Sequence, residues 1–168
     1  MKTTVNTAVT SILEQLISEY LQSNTLPVSG NVKYHDFIAT AIPANDVPHR
    51  SDNSIRHICL LSDARLTAVT DLLGANSCTN AICYAPYSSM PWHTNSDLEG
   101  IRTYYVYSKR RSIFRYKNPE TGLIHNDEDS IGWTARSFKI DKQKPLWHAI
   151  WSEGYRFAFG FNSYDKLL

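Results

Sequence analysis

Two histidines in this chain sit in matching settings, each directly after a tryptophan: Trp92-His93 and Trp147-His148. In a strand, that order puts the indole on one face and the imidazole on the other. Asn95 is two residues beyond His93 and shares its face. Arg156 follows His148 by eight residues, with Ala158 and Gly160 at strand spacing after it. A His-x-carboxylate pair on one strand, with a distant histidine on another, is the pattern that holds non-haem Fe(II) and leaves positions open for small ligands. Small residues beside a fixed cation describe a space with a guanidinium at its edge, and such a group wants an anion. The plainer reading is an aromatic strand with one satisfied histidine and one surface arginine. It accounts for either histidine alone and leaves the pair unexplained.

The stretch around His148 is the most legible in the chain. Alternation from Trp147 to Trp151 and from Tyr155 to Phe161 has the period of strands. The intervening Ser152-Glu153-Gly154 predicts a β-hairpin with Gly154 in the left-handed conformation. If Trp151 pairs with Tyr155, then Ile150 faces Arg156 and His148 faces Ala158, which sets Arg156 diagonally across from His148, about 7–8 Å away. One face then carries Trp147, Trp151, Tyr155, Phe157, Phe159 and Phe161, and the other His148, Arg156, Ala158 and Gly160. A molecule about as long as a five-carbon diacid would span from whatever His148 holds to the guanidinium.

The elements that must position these residues are mostly strands. Residues 79–85, 89–95, 102–108, 112–117, 134–140, 146–151 and 155–162 read as seven short strands with turns between them, the pattern of a sandwich or barrel. Asn118-Pro119-Glu120-Thr121-Gly122 is a turn signal. Residues 125–130 read as a solvated polar loop, and Lys109-Arg110-Arg111 as a solvated hairpin turn. Upstream, residues 7–22 predict an amphipathic helix, with Pro27 beyond its end. A second helix is expected through Leu73, capped by Ser62 or Asp63 and stopped by Gly74. Short strands are expected within 32–42 and over 58–61, and an irregular loop over 43–54. His35, His49 and His57 have no ligand-like neighbour at useful spacing and read as structural or exposed.

With 168 residues the chain reads as one domain, 1–168, with 1–77 as helical and irregular support and 78–162 as the core. A net charge of +1 gives no electrostatic case for an obligatory nucleic-acid partner. The three cysteines, Cys59, Cys78 and Cys83, have no CxxC spacing, which argues against a disulfide framework and a thiolate zinc site. With no leader and no apolar run long enough to span a bilayer, the expectation is a cytoplasmic protein with no membrane partner.

The region 81–161 resembles the double-stranded β-helix core of the 2-oxoglutarate/Fe(II)-dependent oxygenases, most of all their prolyl-hydroxylase-like branch. The matching pieces are Tyr84 through Asn95, Arg102 through Tyr107, Ser112 through Tyr116, Trp133 through Phe138, and His148 with Arg156. The fold implied is mainly β with flanking helices (α+β), a jelly-roll or cupin-like core with N-terminal helices packed on it. By this resemblance His93, Asn95 and His148 would be metal ligands. Arg156 would anchor 2-oxoglutarate with help from Tyr107, or from Tyr105 on the same face. The cofactors implied are Fe(II) and 2-oxoglutarate, the co-reactant is molecular oxygen, and the prime substrate is a protein side chain or small molecule.

Two positions depart from the family pattern. Asn95 stands where the family has a carboxylate; its amide oxygen can coordinate but brings no charge. Losing a unit charge beside a dication costs roughly several kcal/mol even at high effective dielectric. Asp97 shares the face of Asn95 but lies about 13 Å from His93 on an extended chain, so it could substitute only at a sharp turn. Ala158 stands where many members have a serine. Asn95 therefore also supports a second reading, a non-catalytic binding module of the same fold. A cupin-like metal enzyme without 2-oxoglutarate is the third reading, and Arg156 argues against it.

Overall fold

The computed structural model describes residues 2–23, 25–45, 53–95 and 97–164. His49 and residues 46–52 of the expected 43–54 loop lie outside them. Ten strands and three helices follow one another as β1 (Lys2–Thr3), α1 (Thr7–Gln22), α2 (Tyr34–Ala39), β2 (Ile55–His57), α3 (Ala64–Leu72), β3 (Ser77–Tyr84), β4 (Ser88–His93), β5 (Gly100–Ser108), β6 (Ser112–Lys117), β7 (Ile124–Glu128), β8 (Gly132–Ile140), β9 (His148–Ser152) and β10 (Arg156–Ser163) among the described residues. The strands form two antiparallel sheets, one in the order β1-β8-β5-β10-β3-β2 and the other β4-β9-β6-β7. Four strands of each sheet make the jelly roll: β8, β5, β10 and β3 against β4, β9, β6 and β7. The protein is mainly β with flanking helices, as the strand pattern predicts.

Alternation along β9 and β10 distributes side chains among three apolar layers. Phe157, Phe159 and Phe161 point outward from the larger sheet and pack with Val9, Leu13, Leu16 and Ile17 of α1 and Leu66 and Val69 of α3. Ala149 and Trp151 point outward from the smaller sheet and pack with Phe37 of α2, Trp92 and Ile113. Between the sheets lie Ile82, Tyr84, Val106, Phe114, Ile150 and Ala158.

Helix α1 starts where Asn6 Oδ1 accepts from the backbone N–H of Ala8 (3.0 Å) and Val9 (3.4 Å), a cap that satisfies otherwise orphan donors. Asp63 caps α3 by accepting from Arg65 N at 2.9 Å. Gly74, at φ 60°, ends it in the left-handed conformation that glycine takes freely.

Five local expectations are corrected. Residues 146–151 and 155–162 do not form a hairpin: β9 and β10 belong to different sheets, and the chain steps across the sandwich between them. Apolar alternation identifies two strands but not which neighbour each pairs with. Gly154 is accordingly not left-handed; a Cβ there would fall 2.7 Å from Arg110 Cγ, so close approach is what requires glycine. The Lys109–Arg111 turn is a second such crossing, from β5 to β6. Residues 34–39 are helical rather than a strand, and the strand expected at 58–61 lies at Ile55–His57. Residues 125–130 are mostly exposed, as expected, but most belong to β7 rather than to a loop, and Asp129 is buried.

Candidate functional site

Strand β4 ends at His93 and β9 begins at His148, and these two residues are Cα partners. The imidazole centroids are 4.1 Å apart. His93 Nδ1 lies 2.8 Å from Pro91 O, and His148 Nδ1 lies 3.0 Å from Leu146 O. A carbonyl only accepts, so both Nδ1 atoms carry a proton. It is the kind of outer hydrogen bond that fixes metal-ligating rings. Phe114 stacks on the His148 ring at 5.3 Å, and Phe138 lies 6.2 Å from it.

Asn95 joins the pair. Its Nδ2 lies 3.2 Å from His148 Nε2 and 3.0 Å from the Tyr104 hydroxyl oxygen. Asp97 is exposed and lies outside the cavity lining, so the chain does not bring it into the place of Asn95. Among the described residues, no three His, Cys, Asp or Glu side chains group as a metal site.

These residues border a cavity of about 160 Å³ between the sheets. Tyr84, Met90, Val106, Phe114, Ile150 and Ala158 supply its apolar wall, and Asn80, Tyr104, Arg136 and Arg156 its other polar groups. The expected faces of β9 and β10 hold: His148 and Ile150 look in from one sheet, Arg156 and Ala158 from the other. They meet across the sandwich rather than side by side.

Arg156 is 2% exposed. Its Nε donates to Asp129 Oδ2 at 3.0 Å, its Cζ lies 5.1 Å from the Tyr84 ring centroid, and its Nη1 is a buried donor with no partner among the described residues. An orphaned guanidinium N–H bordering a cavity fits a carboxylate. Burial pushes the Tyr84 phenol above its ordinary range, so it stays protonated.

Asp129 was not legible as part of the site. It also bonds Arg136 Nη1 and accepts from Ser112 Oγ. Burial alone would raise its carboxyl, but Arg156, Arg136 and the Ser112 hydroxyl hold it below the usual carboxylate range. Asp127 takes Arg136 Nε at 2.9 Å. Both carboxylates stand behind the guanidiniums; neither lines the cavity. The Asp-x-Asp spacing of 127 and 129 was the available signal, since it puts two acids on one face of a strand.

Tyr107 is not where the sequence reading put it. It packs outward between Trp133, at 5.3 Å, and Phe157, at 6.5 Å, and Tyr105 joins the same outer core. The inward tyrosine is Tyr104, opposite Gly160 on β10. A Cβ on Gly160 would fall 2.8 Å from Tyr104 Cε1 and 2.7 Å from Asn80 Oδ1. A glycine sharing the face of Arg156 and Ala158 was the signal that an aromatic ring lies over it. His35 and His57 are exposed, as expected.

A second, more apolar groove of about 240 Å³ adjoins the cavity through Phe114, lined also by Tyr116, Pro119, Phe138 and Leu146. Arg115, beyond the Lys109–Arg111 cluster, is buried; it donates to Phe37 O at 3.1 Å and lies 5.2 Å from the Trp92 ring centroid.

No protein-family model matches the chain, and no curated protein sequence matches it. Solved structures do. A prolyl hydroxylase from Trichoplax adhaerens, in complex with a hypoxia inducible factor oxygen degradation domain peptide fragment, superimposes with a TM-score of 0.56 at 14% identity, covering 96% of this chain and 80% of that one. A Pseudomonas putida prolyl-4-hydroxylase gives 0.46 at 13% identity, over 93% and 80%. An oxalate oxidase gives 0.44 at 18% identity, over 83% and 70%. At 14% identity the likeness to the Trichoplax adhaerens enzyme is one of fold, and the two antiparallel sheets are those of a jelly roll. Among the described residues, no helix is long and apolar enough to cross a membrane.

Proposed function

We propose that the chain is an Fe(II)- and 2-oxoglutarate-dependent oxygenase acting on a protein side chain or small molecule. The observation that carries this reading is the pair of imidazoles from two strands, both with Nδ1 donated to a carbonyl, over a cavity bordered by a buried arginine with an unsatisfied N–H.

His93 and His148 would hold the metal through Nε2, with the Asn95 amide oxygen as the third donor. Arg156 would take the far carboxylate of 2-oxoglutarate through Nη1. Its guanidinium is fixed from behind by Asp129, so little orientation is lost on binding. Arg156 lies four residues along β10 from Gly160, which pairs with Tyr104 beside Asn95. That is about 13 Å of backbone rise, which the arginine side chain and a five-carbon diacid can together bridge. Iron with 2-oxoglutarate supplies the oxidative chemistry with oxygen. The aromatic and aliphatic wall keeps water from that chemistry, and the groove beside Phe114 offers the prime substrate an approach next to His148.

The test is turnover of 2-oxoglutarate to succinate by iron-loaded protein, with oxygen consumed. A His148→Ala variant is expected to abolish it. Folded, iron-loaded protein that turns over no 2-oxoglutarate with any substrate offered contradicts the proposal.

A second reading is favoured by Asn95, whose amide nitrogen lies 3.2 Å from His148 Nε2. It is a non-catalytic module that holds a dicarboxylate through Arg156 without metal. Asn95→Asp separates the two: gain of iron affinity and of uncoupled succinate production would show that only the carboxylate was missing.

A further inference from the structure

We infer that the cavity selects, without metal, a short-chain hydroxy acid, with its carboxylate on Arg156 Nη1 and a hydroxyl at its far end donating to Asn80 Oδ1. The inference rests on the metal-free reading above for the acid and goes beyond it in the hydroxyl.

Two buried polar atoms lead to it. Arg156 Nη1 is a donor and Asn80 Oδ1 an acceptor, and neither has a partner among the described residues. Both residues line the same cavity. Orphaned buried groups are rare, because each forfeits its hydration with nothing in return. A ligand that meets both must accept at one end and donate at the other.

The accepting end is an anion. Arg136, Arg156 and Asp129 are buried, so two guanidiniums stand against one fully buried carboxylate. Asp127, the other counterion of Arg136, is partly exposed and also pairs with Lys2 at 3.5 Å. Arg136 spends its Nε, Nη1 and Nη2 on Asp127 and Asp129, whereas Arg156 keeps Nη1 for the cavity. One guanidinium edge takes one carboxylate.

The donating end is a neutral hydroxyl. An ammonium would add a third cation beside two buried guanidiniums. A hydroxyl also accepts, and a donor stands beside Asn80 to use it. Asn80 and Tyr104 flank Gly160 from β3 and β5. A Cβ on Gly160 would lie 2.7 Å from Asn80 Oδ1 and 2.8 Å from Tyr104 Cε1, so the two side chains are close neighbours. The Tyr104 oxygen accepts from Asn95 Nδ2, which leaves its O–H to donate. A ketone oxygen at this point would only accept and would leave Asn80 Oδ1 unmet.

Tyr84, the partner of Arg156, lies four residues along β3 from Asn80, about 13 Å of rise. Carboxylate and hydroxyl therefore sit at opposite ends of a short carbon chain rather than on neighbouring carbons. The wall of Met90, Val106, Ile150 and Ala158 suits the methylenes between them. A site built to hydrogen-bond a hydroxyl rejects analogues that lack it, and a buried acceptor left unmet costs on the order of 10-fold or more in affinity.

The test uses the full chain, stripped of metal with a chelator and titrated by calorimetry with three acids on one five-carbon skeleton: 4-hydroxypentanoate, 4-oxopentanoate and pentanoate. Glutarate is titrated beside them as the reference dicarboxylate. The hydroxy acid is expected to bind at least about 10-fold more tightly than the other two monoacids. Asn80→Ala removes the acceptor and is expected to erase that difference. Equal affinities for the three, a preference for the oxo acid, or a preference that survives in Asn80→Ala overturns the hydroxyl and leaves the metal-free acid reading, which glutarate tests separately. No binding of any of these acids to folded protein overturns both.

Discussion

His93 and His148 are direct partners across β4 and β9, and each ring is locked by a hydrogen bond from its Nδ1 to the carbonyl two residues earlier in the chain. The repetition is local in origin. Both histidines follow a tryptophan whose indole packs outward against the α2 layer, so both imidazoles turn inward, and both carbonyls come from the residue before that tryptophan. One sequence pattern, used twice, builds a symmetric pair of inward imidazoles, each fixed through Nδ1.

Asp129 is the buried counterion on which Arg156 depends. Asp129→Asn leaves two buried guanidiniums short of a charge and is expected to cost about 3–5 kcal/mol, measured by urea unfolding. The pH dependence has a definite sign. A carboxyl held below its ordinary value in the folded state contributes fully above the unfolded pKa of about 3.9, and that contribution is lost as pH falls towards the lower, folded value. Wild type is expected to lose melting temperature steeply below about pH 4, and Asp129→Asn to lose part of that slope. Equal slopes in the two proteins would contradict the assignment.

Gly160 is where β10 lets Tyr104 and Asn80 close over the cavity. Gly160→Ala places a Cβ 2.7–2.9 Å from Asn80 Oδ1, Tyr104 Cε1 and Thr79 Oγ1. Overpacking of this kind costs about 1–3 kcal/mol. The expected outcome is a folded protein of lower melting temperature whose 2-oxoglutarate binding is weakened. Unchanged stability and binding would show that the neighbours yield freely.

The two tyrosines of β5 separate cleanly by experiment. Tyr104→Phe removes the oxygen that accepts from Asn95 Nδ2 and should move the Asn95 side-chain amide resonances in a nitrogen–proton correlation spectrum. Tyr107→Phe keeps the ring between Trp133 and Phe157; it should leave those resonances in place and change stability by less than about 0.5 kcal/mol. The opposite pattern would restore Tyr107 to the site.

Much of this architecture was legible because it is local. Helix α1, α3 with its Asp63 cap and Gly74 stop, and most of the strands follow from periodicity and punctuation. So does the inward face shared by His148, Arg156, Ala158 and Gly160. What the sequence hid is non-local. Alternation does not say that β9 and β10 belong to opposite sheets, and a crossing Ser-Glu-Gly reads like a hairpin turn. Tyr104, Tyr105 and Tyr107 put aromatics on both faces of β5, so the inward one could be chosen only from its pairing with Gly160. Asp129 looks solvated among Asn126, Asp127 and Glu128; its burial depends on Arg136 and Arg156, contributed by two other strands.

The most direct test of the proposed chemistry is the visible spectrum of anaerobic apoprotein on addition of Fe(II) and 2-oxoglutarate together. The account predicts a weak metal-to-ligand charge-transfer band, absent with either addition alone and lost in His148→Ala and Arg156→Ala. No band from folded wild-type protein at saturating iron and acid would contradict it, and would leave a metal-free dicarboxylate-binding module as the reading that fits Asn95.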